Sequence, residues 1–283
     1  MSVKGVGELG LLARIKPYLA STAGVDDATV IADATGFTVA SVDTFVEGVH
    51  FDLGWMTPED VGWRSLALAL GDLAAKGAEP LWALAAVAIP DRWTVDHLTG
   101  VYSGMAALAK KFQLELAGGD MSSIDGPAVL SLTVVGHTTT LPIARAEAQP
   151  GWSVAVTGPL GGAAVALRER RALRLTPRIE EGRRLNELGL CSGDISDGLV
   201  REMEKFAAMS GSGCNLRAAH VPRAEGASLE DALTGGEEAE LVCVGPRDLI
   251  DRAGLQVVGE MTAEPSVNVV GAQLQTTGYD HFA

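Results

Sequence analysis

The sequence predicts an α/β (α+β) protein built from two domains. Its 283 residues exceed the usual size of one domain, and 47% of them are hydrophobic while 20% are charged, which is typical of a folded globular chain. Strand-like apolar runs alternate with helical stretches in the first half, and a similar alternation resumes after a connector that contains Pro and Gly. We therefore expect one domain over residues 1–138 and another over residues 139–283.

Four apolar runs of the first half are expected to be strands, and two longer stretches between them are expected to be helices. The expected strands are 38–42, 81–89, 114–117 and 128–135, and the expected helices are 58–76 and 95–112. The first helix has the clearest limits, because Thr57 can cap it, Pro58 fits its first position and Gly77 can end it.

The second half begins after a connector that contains Pro142 and the turn 149–151. A strand is expected at 152–157, and the glycine-rich segment 158–162 should lead into a helix. Two further helices are expected at 178–188 and 199–209, and a strand at 240–244. Both halves place Gly and Asp after strands, which favours two similar units, although no sequence repeat establishes them.

Composition excludes several classes of function. The net charge of −14 opposes nucleic-acid binding, and basic residues cluster only at 168–174. No apolar run is long enough to span a membrane and no leader is recognisable, so we expect a cytoplasmic protein. Cys191, Cys214 and Cys243 are far apart, so the spacing indicates neither a disulfide framework nor a zinc site.

Aspartates beside glycines, at expected strand ends, are the main chemical signal. They occur in Gly24-Val25-Asp26-Asp27, Ser41-Val42-Asp43-Thr44, Gly118-Gly119-Asp120 and Gly193-Asp194-Ile195-Ser196-Asp197-Gly198. Carboxylates are seldom buried without a partner, and hard oxygen ligands suit Mg²⁺, which in turn suggests phosphate. The alternatives are weaker. No P-loop is present, the G-x-G-x-x-G match at 5–10 follows no strand, and 194–198 lacks the spacing of a calcium loop.

Seven segments in order resemble the thiamine-monophosphate kinase family, whose superfamily includes aminoimidazole ribonucleotide synthetase, selenophosphate synthetase and a hydrogenase maturation factor. The Val-Glu-Gly-Val-His-Phe stretch and the Gly-Tyr-Asp-His-Phe tail point to this family over its relatives. The segments are 24–27, 43–51, 72–78, 118–120, 194–199, 235–237 and 278–282.

This resemblance implies a two-domain aminoimidazole ribonucleotide synthetase-like fold, ATP as co-substrate and Mg²⁺ as cofactor. The residues implied to hold Mg²⁺ are Asp27, Ser41, Asp43, Asp72, Asp120, Asp194 and Asp197. Those implied to contact the nucleotide are Gly118, Gly119, Asp120, Arg145 and Ser196, and those implied to be catalytic are Asp43, Asp120, Asp197 and Arg145.

The resemblance also implies the substrate, the reaction and the assembly. His50 would contact the phosphate of thiamine monophosphate, Glu237 would face the thiamine, and Tyr279 would stack on one of its rings. The ionised phosphate would attack the γ-phosphorus of ATP in line, so no strong general base is needed. The family is a homodimer through its first domains, so a homodimer is implied here too.

Some of these residues have simpler interpretations when each is taken alone. Asp72 could pair with Lys76 on a helix surface, although its helical face is otherwise apolar. Asp26 could serve only a turn. Arg145 could be a surface arginine, and His50 could be a core residue.

The chain departs from the family pattern at Val42, Ala69, Gly71 and 238–239, and it is short around 170–176 and 223–233. These departures leave two alternatives open: a related ATP-using synthetase with another acceptor, or a non-catalytic protein that binds nucleotide or thiamine. Selenophosphate synthetase is disfavoured, because no Cys precedes residue 191.

Overall fold

The structure is a computed structural model that describes residues 7–19 and 26–281, apart from the side chains of Glu8 and Leu9. These residues form eleven strands, eight α helices and three short 3-10 helices. The strands make two sheets, one from each half of the chain, which confirms the predicted α/β class. Gly24, Val25 and Phe282, which belong to the segments of resemblance, lie outside the described residues, as do residues 5–6 of the discounted glycine motif.

The first sheet has five strands in the order β1-β2-β5-β3-β4. Neighbouring strands are antiparallel except β3 and β4, which are parallel. The strands are β1 (Thr29–Ala32), β2 (Phe37–Val46), β3 (Glu79–Ile89), β4 (Glu115–Ser123) and β5 (Val129–Thr138). One face of this sheet packs on two helices, α2 (Pro58–Ala75) and α3 (Val95–Lys111). The opposite face exposes Val42, Trp82 and Leu84.

The second sheet has six strands in the order β11-β8-β10-β6-β9-β7. Its strands are β6 (Ser153–Val156), β7 (Cys191–Asp194), β8 (Gly213–Arg217), β9 (Leu241–Gly245), β10 (Gln256–Thr262) and β11 (Val267–Val270). The remaining helices are α1 (Glu8–Ile15), α4 (Gly162–Arg168), α5 (Ile179–Glu187), α6 (Leu199–Ser210), α7 (Leu229–Thr234) and α8 (Arg247–Ala253).

The two halves share part of their hydrophobic core. Side chains of α2 and of the first sheet join one cluster with Leu175, Leu185, Leu241 and Ile250 of the second half. A second cluster lies within the second half alone. The domain limits at 138 and 139 stay a prediction, since the shared core joins the halves. Cys191, Cys214 and Cys243 are buried free thiols.

Helices α2 and α3 lie within one residue of their predicted limits, whereas α1 was not predicted. Helix α2 begins at the predicted Pro58, and the Thr57 hydroxyl accepts the Asp60 N–H as expected of an N-cap. The prediction that the aspartates follow strands was wrong for Asp43 and Asp120, which lie inside β2 and β4. Both strands are longer than predicted, because their partners β5 and β3 extend the pairing past the apolar run.

No helix among residues 7–19 and 26–281 is long and apolar enough to cross a membrane.

Candidate functional site

A cavity of about 730 Å³ lies between the two halves. Strand β2 and helix α2 line it from the first half. The N-terminus of α6, the segment 234–237 and the tail 276–281 line it from the second half. The predicted site residues that line it are Asp27, Ser41, Asp43, His50, Asp72, Arg145, Asp194, Ser196, Asp197, Glu237 and Tyr279. The structure therefore brings together residues that are more than 200 positions apart in the sequence.

Three carboxylates converge at the inner end of the cavity. One oxygen each of Asp27, Asp72 and Asp194 lies within 4.8 Å of the others. Asp72 comes from α2 and Asp194 from the end of β7, and both side chains are buried. The Ser41 hydroxyl donates to Asp72 Oδ2 (2.5 Å) and lies 3.0 Å from the Asp27 carbonyl oxygen. Three carboxylates and a hydroxyl form a hard oxygen donor set, which fits Mg²⁺.

The electrostatics of this cluster favour a bound cation. Burial and the neighbouring charges of Asp43 and Asp194 raise the pKa of Asp72 well above its usual range. Burial and Asp27 likewise raise the pKa of Asp194. The pKa of Asp43 is raised to about 6 by burial and by Asp197 and Asp27. Like charges disfavour ionisation of one another, and a divalent cation removes that penalty.

Asp26 and Asp27 are already held by two buried cations. Lys76 Nζ contacts Asp26 Oδ1 and lies 3.2 Å from Asp27 Oδ2. Arg145 contacts Asp27 and Asp26, and its Nη2 lies 2.5 Å from Glu202 Oε2. Burial alone would raise the pKa of Asp27, yet Arg145 and Lys76 together hold it below its usual value.

These contacts settle three of the simpler interpretations. Arg145 is 1% exposed, so it is not a surface arginine. Lys76 bonds to Asp26 and Asp27, so no surface pair with Asp72 forms. Asp26 does more than shape a turn, because its carboxylate also accepts the backbone N–H of Arg145 (3.3 Å).

A lysine on α6 adds positive charge to the same wall of the cavity. Lys205 Nζ lies 2.8 Å from Asp197 Oδ2 and 2.6 Å from Glu202 Oε1. Burial lowers the pKa of Lys205, but Glu202 and Asp197 raise it further, so the amine stays charged. Ser196 and Asp197 precede α6, whose N-terminus carries the positive end of the helix dipole. Phosphate groups are stabilised in such surroundings.

The outer part of the cavity adjoins a smaller cavity of about 160 Å³, which is lined by Arg64, His50 and Glu237 among others. Arg64 of α2 pairs with Glu237 through Nη2 and Oε2 (2.5 Å). Glu237 adopts a positive φ of 59°, which is uncommon for a residue with a side chain. Arg64 Nε and Glu237 Oε1 are buried and make no hydrogen bond within the described residues. A buried donor and a buried acceptor are thus presented side by side, a pattern that suits a ligand with complementary polar atoms.

Aromatic rings surround the same region. His50 Nδ1 accepts the Val46 N–H (3.0 Å), so Nε2 carries the proton of the neutral ring. The His50 ring lies 5.1 Å from the His281 ring, and Tyr279 meets His281 edge to face at 4.8 Å. Tyr279 is 47% exposed at the mouth of the cavity. Burial lowers the pKa of His50, with Glu237 acting in the opposite direction.

Asp120, Gly118 and Gly119 do not line this cavity. Strands β2 and β4 are separated by β5 and β3, which places them about 14 Å apart at the usual strand spacing. The register runs Thr44, Ser131, Ala86, Asp120 across the sheet, so Asp120 shares the outer face with Thr44. Asp43 points to the other face. One chain alone therefore does not bring Asp120 to Asp43.

The family departures have structural consequences. Val42 is 61% exposed on the outer face of the sheet. A Cβ at Gly71 would lie 3.2 Å from Asp194 Oδ2, so glycine allows Asp194 to approach α2 closely. Glu238 accepts the N–H groups of Gly161 (2.8 Å) and Ala163 (3.1 Å) at the start of α4. This polar side chain therefore supports a helix terminus.

Sequence reasoning missed four charged contributors to the site: Arg64, Lys76, Glu202 and Lys205. Arg64 lies on the same helix as Asp72, Lys76 directly follows that helix, and Glu202 and Lys205 lie one to two turns after Asp197. Charged residues in otherwise apolar helix segments were the available signal. Their partners are distant in sequence, so the pattern alone could not reveal the pairing.

Comparison with known proteins defines the class of this fold and site. The family model described as AIR synthase related protein, N-terminal domain, matches residues 25–138. The thiamine-monophosphate kinase of Rhodopirellula baltica is 34% identical over 223 residues, which cover 74% of this chain and 69% of that protein. The enzyme of Salmonella typhimurium is 30% identical, with 98% of each chain covered.

Solved structures agree with this class over the whole chain. The structure described as AaThiL complexed with AMPPCP and TMP has a TM-score of 0.90 and 28% identity, covering 100% of this chain and 99% of that chain. Thiamine monophosphate kinase from Aquifex aeolicus has a TM-score of 0.82 at 28% identity, covering 98% and 100%. The predicted aminoimidazole ribonucleotide synthetase-like fold is confirmed. The chain belongs to the thiamine-monophosphate kinase family of enzymes.

Proposed function

We propose that this chain transfers the γ-phosphoryl group of ATP to thiamine monophosphate, giving thiamine diphosphate and ADP. The observation that carries the proposal is one cavity with two chemically different ends. The inner end has three buried carboxylates with a basic helix terminus nearby, and the outer end has aromatic rings and a polar pair. The related AaThiL structure, described as complexed with AMPPCP and TMP, has the same fold. In the phosphoryl transfer proposed here, the acceptor phosphate would lie between the two ends.

At the inner end, Asp27, Asp72, Asp194 and Ser41 would hold Mg²⁺, with Asp43 beside them. Bound Mg²⁺ would neutralise charge on the phosphates and orient them. Asp43 and Asp197 extend the acidic wall toward the centre of the cavity. Lys205 and the N-terminus of α6 would stabilise the negative charge of the nucleotide phosphates.

Arg145 forms buried ion pairs with carboxylates on the acidic side of the cavity. Its guanidinium is buried and joins Asp27, Asp26 and Glu202. Arginine suits this position because it stays charged and offers several donors in a fixed plane. The arrangement keeps Asp27 ionised and oriented toward the metal. A direct contact between Arg145 and the nucleotide stays a prediction from the family resemblance.

At the outer end, Arg64, Glu237, His50 and Tyr279 would bind thiamine monophosphate. The Nε2–H of His50 can donate to the substrate phosphate. Glu237 Oε1 can accept from an amino group of the thiamine, and Arg64 Nε can donate to a ring nitrogen. Tyr279 would pack on the ring system. The acceptor phosphate is an anion, so positioning and charge neutralisation supply the catalysis.

We also propose that the active protein is a homodimer in which Asp120 acts across the interface. The outer face of the first sheet exposes Val42, Trp82 and Leu84, which are apolar. Asp120 lies on this face, on the edge strand β4. A second copy packed on the face could bring its Asp120, with Gly118 and Gly119, toward Val42 and Asp43. We expect the dimer in the cytoplasm, as the composition suggested.

The experiment that tests the proposed function incubates the purified protein with ATP, Mg²⁺ and thiamine monophosphate. Thiamine and an aminoimidazole ribonucleotide precursor serve as alternative acceptors. We expect equal amounts of thiamine diphosphate and ADP, with no ATP consumed for the other acceptors. Nucleotide binding without thiamine diphosphate would contradict the proposal and support a binding protein or another acceptor. The Glu237→Gln variant should raise KM for thiamine monophosphate about tenfold, because it weakens a polar contact to the substrate.

A further inference from the structure

Lys76 is a buried charge that the proposed reaction does not use. It directly follows α2, and its side chain is 1% exposed. Burying a lysine without a partner costs several kcal/mol, so its surroundings must compensate. The carboxylates of Asp26 and Asp27 lie within ion-pair distance of its amine, which compensates for this burial.

Three oxygen atoms from two segments of the chain converge on Lys76 Nζ. It contacts Asp26 Oδ1, lies 3.2 Å from Asp27 Oδ2 and lies 3.4 Å from the carbonyl oxygen of Ser192. Two carboxylates and a carbonyl form the kind of oxygen set that holds a divalent cation. In this chain a covalently attached ammonium group lies among them.

Asp27 belongs to two groups at once. It faces Lys76 and Arg145 on one side, and it forms the cluster with Asp72 and Asp194 on the other. The positive charge of Lys76 therefore acts directly beside the proposed metal position. A fixed positive charge beside that position repels a divalent cation.

We propose that the Lys76 ammonium group is a built-in cation that replaces one divalent ion at the Asp26–Asp27 side of the site. This inference rests on the proposed Mg²⁺ site at Asp27, Asp72 and Asp194. The lysine restricts divalent cations to that cluster and sets their affinity. An ammonium group is a compact point charge with three donors, so it can occupy a cation position among three oxygen atoms.

The test counts Mn²⁺ ions bound per chain by calorimetric titration, without nucleotide, in the wild type and in Lys76→Met. Methionine has nearly the same length and no charge. We expect Lys76→Met to bind one Mn²⁺ more per chain than the wild type. At the metal sites that are also present in the wild type, we expect Lys76→Met to bind Mn²⁺ at least about tenfold more tightly, because a nearby positive charge is removed.

Two control variants isolate the charge. Lys76→Arg keeps a positive charge and should bind the wild-type number of Mn²⁺ ions. Lys110→Met removes a lysine that is exposed on α3 and does not line the cavity, and it should also match the wild type. An equal count in Lys76→Met and the wild type would overturn the inference.

Folding of the variant is part of the readout. If Lys76→Met is unfolded without metal, we expect Mn²⁺ to restore the wild-type circular dichroism spectrum, since the ion would take the place of the ammonium group. A variant that stays unfolded at saturating Mn²⁺ would mean that Lys76 is a structural ion pair only. A wild-type chain that binds no Mn²⁺ would instead contradict the proposed metal site. The two failures are therefore distinguishable.

Discussion

At the scale of single residues, Asp72 illustrates a conflict between folding and function. Its carboxylate is buried near Asp43, Asp194 and Asp27, all of the same charge. Without a cation this arrangement opposes folding, because each charge raises the energy of the others. Residues that carry such strain are concentrated at functional sites, where a ligand relieves it.

Replacing Asp72 with Asn should separate stability from activity. The amide can still accept the hydrogen bond from Ser41, but it removes one negative charge from the cluster. We expect the metal-free melting temperature to rise, because repulsion in the cluster falls, and the turnover to fall at least about 100-fold, because a proposed metal ligand is weakened. Thermal denaturation in EDTA and steady-state kinetics measure the two effects. Asp91→Asn, on an exposed turn, should change neither.

The same cluster predicts a pH-dependent stability. The pKa of Asp43 rises from its ordinary 3.8 to about 6, and the pKa values of Asp72 and Asp194 are also raised well above the ordinary value. The folded state therefore binds protons more tightly than the unfolded state, and this stabilising contribution is complete below about pH 4 and lost as the pH passes 6. Asp27 acts in the opposite direction.

We therefore expect the melting temperature of the metal-free protein to fall between about pH 5 and pH 7, since the raised pKa of Asp43 lies in this range, whereas carboxyl groups with a lowered pKa, such as Asp27, titrate below it. Millimolar Mg²⁺ should remove most of this dependence by stabilising the ionised carboxylates. Differential scanning fluorimetry across this range, with EDTA or with Mg²⁺, makes the measurement. A melting temperature of the metal-free protein that rises over this pH range would be inconsistent with repulsion among the clustered carboxylates.

Individual residues were predictable where a family segment contained them. Asp27, Asp43, Asp72, Asp194 and Asp197 were each predicted and all line one cavity. Lys76 and Lys205 were not predicted as site residues, because a charged side chain in a helix is usually solvated and nothing local reveals a distant carboxylate. In the structure both lysines are largely buried and pair with carboxylates of the site.

At the scale of elements, α2 carries much of the site. Arg64 and Asp72 lie on it, Lys76 directly follows it, and its side chains are largely buried between the first sheet and the second half. Its position depends on close packing against α3. A Cβ at Gly104 of α3 would lie 2.0 Å from the Glu59 carbonyl oxygen, so only glycine permits this approach.

Gly104→Ala should therefore destabilise the protein and disturb the site. The added methyl group must push α2 and α3 apart, which we expect to lower the free energy of unfolding by about 2–3 kcal/mol. Urea denaturation measures this change. Ser103→Ala, at the exposed neighbouring position of α3, should stay within about 0.5 kcal/mol of the wild type. Equal stability of both variants would show that the helices can separate freely.

Helices and strands were predicted best where they are long and where residues that favour helix or strand ends mark their limits. Helix α2 was predicted almost to its limits, because Thr57 and Pro58 mark its start and Gly77 its end. The strands β1, β7, β8, β10 and β11 were missed. All of them except β10 have only four or five residues, and β7 contains Ser, Gly and Asp. Such strands form because neighbouring strands supply hydrogen-bond partners, which local propensity does not encode.

At the scale of the whole molecule, the position of Asp120 predicts a shared active site. Asp120 and Asp43 lie on opposite faces of the first sheet and three strands apart. The sequence could not distinguish a site within one chain from a site between two chains, because local sequence patterns do not determine the order of strands in a sheet. A dimer resolves the separation only if each copy supplies Asp120 to the other.

Mixing two inactive variants tests this arrangement. Asp43→Asn and Asp120→Asn should each be inactive alone. When the two chains are co-expressed, mixed dimers should contain one site with both native residues, which restores about a quarter of the wild-type activity for random pairing. Activity of the mixture and its mass by light scattering are measured together. Mixed dimers without activity would place both residues in the same site of one chain.

The proposed function depends on direct phosphoryl transfer from ATP to the phosphate of thiamine monophosphate. The most direct measurement follows the γ-phosphate of isotopically labelled ATP, with Mg²⁺ and thiamine monophosphate present, and identifies the labelled product by phosphorus NMR. We predict that the label appears in the terminal phosphate of thiamine diphosphate, with one ADP formed for each. Label found only in inorganic phosphate, or left in ATP, would contradict the claim.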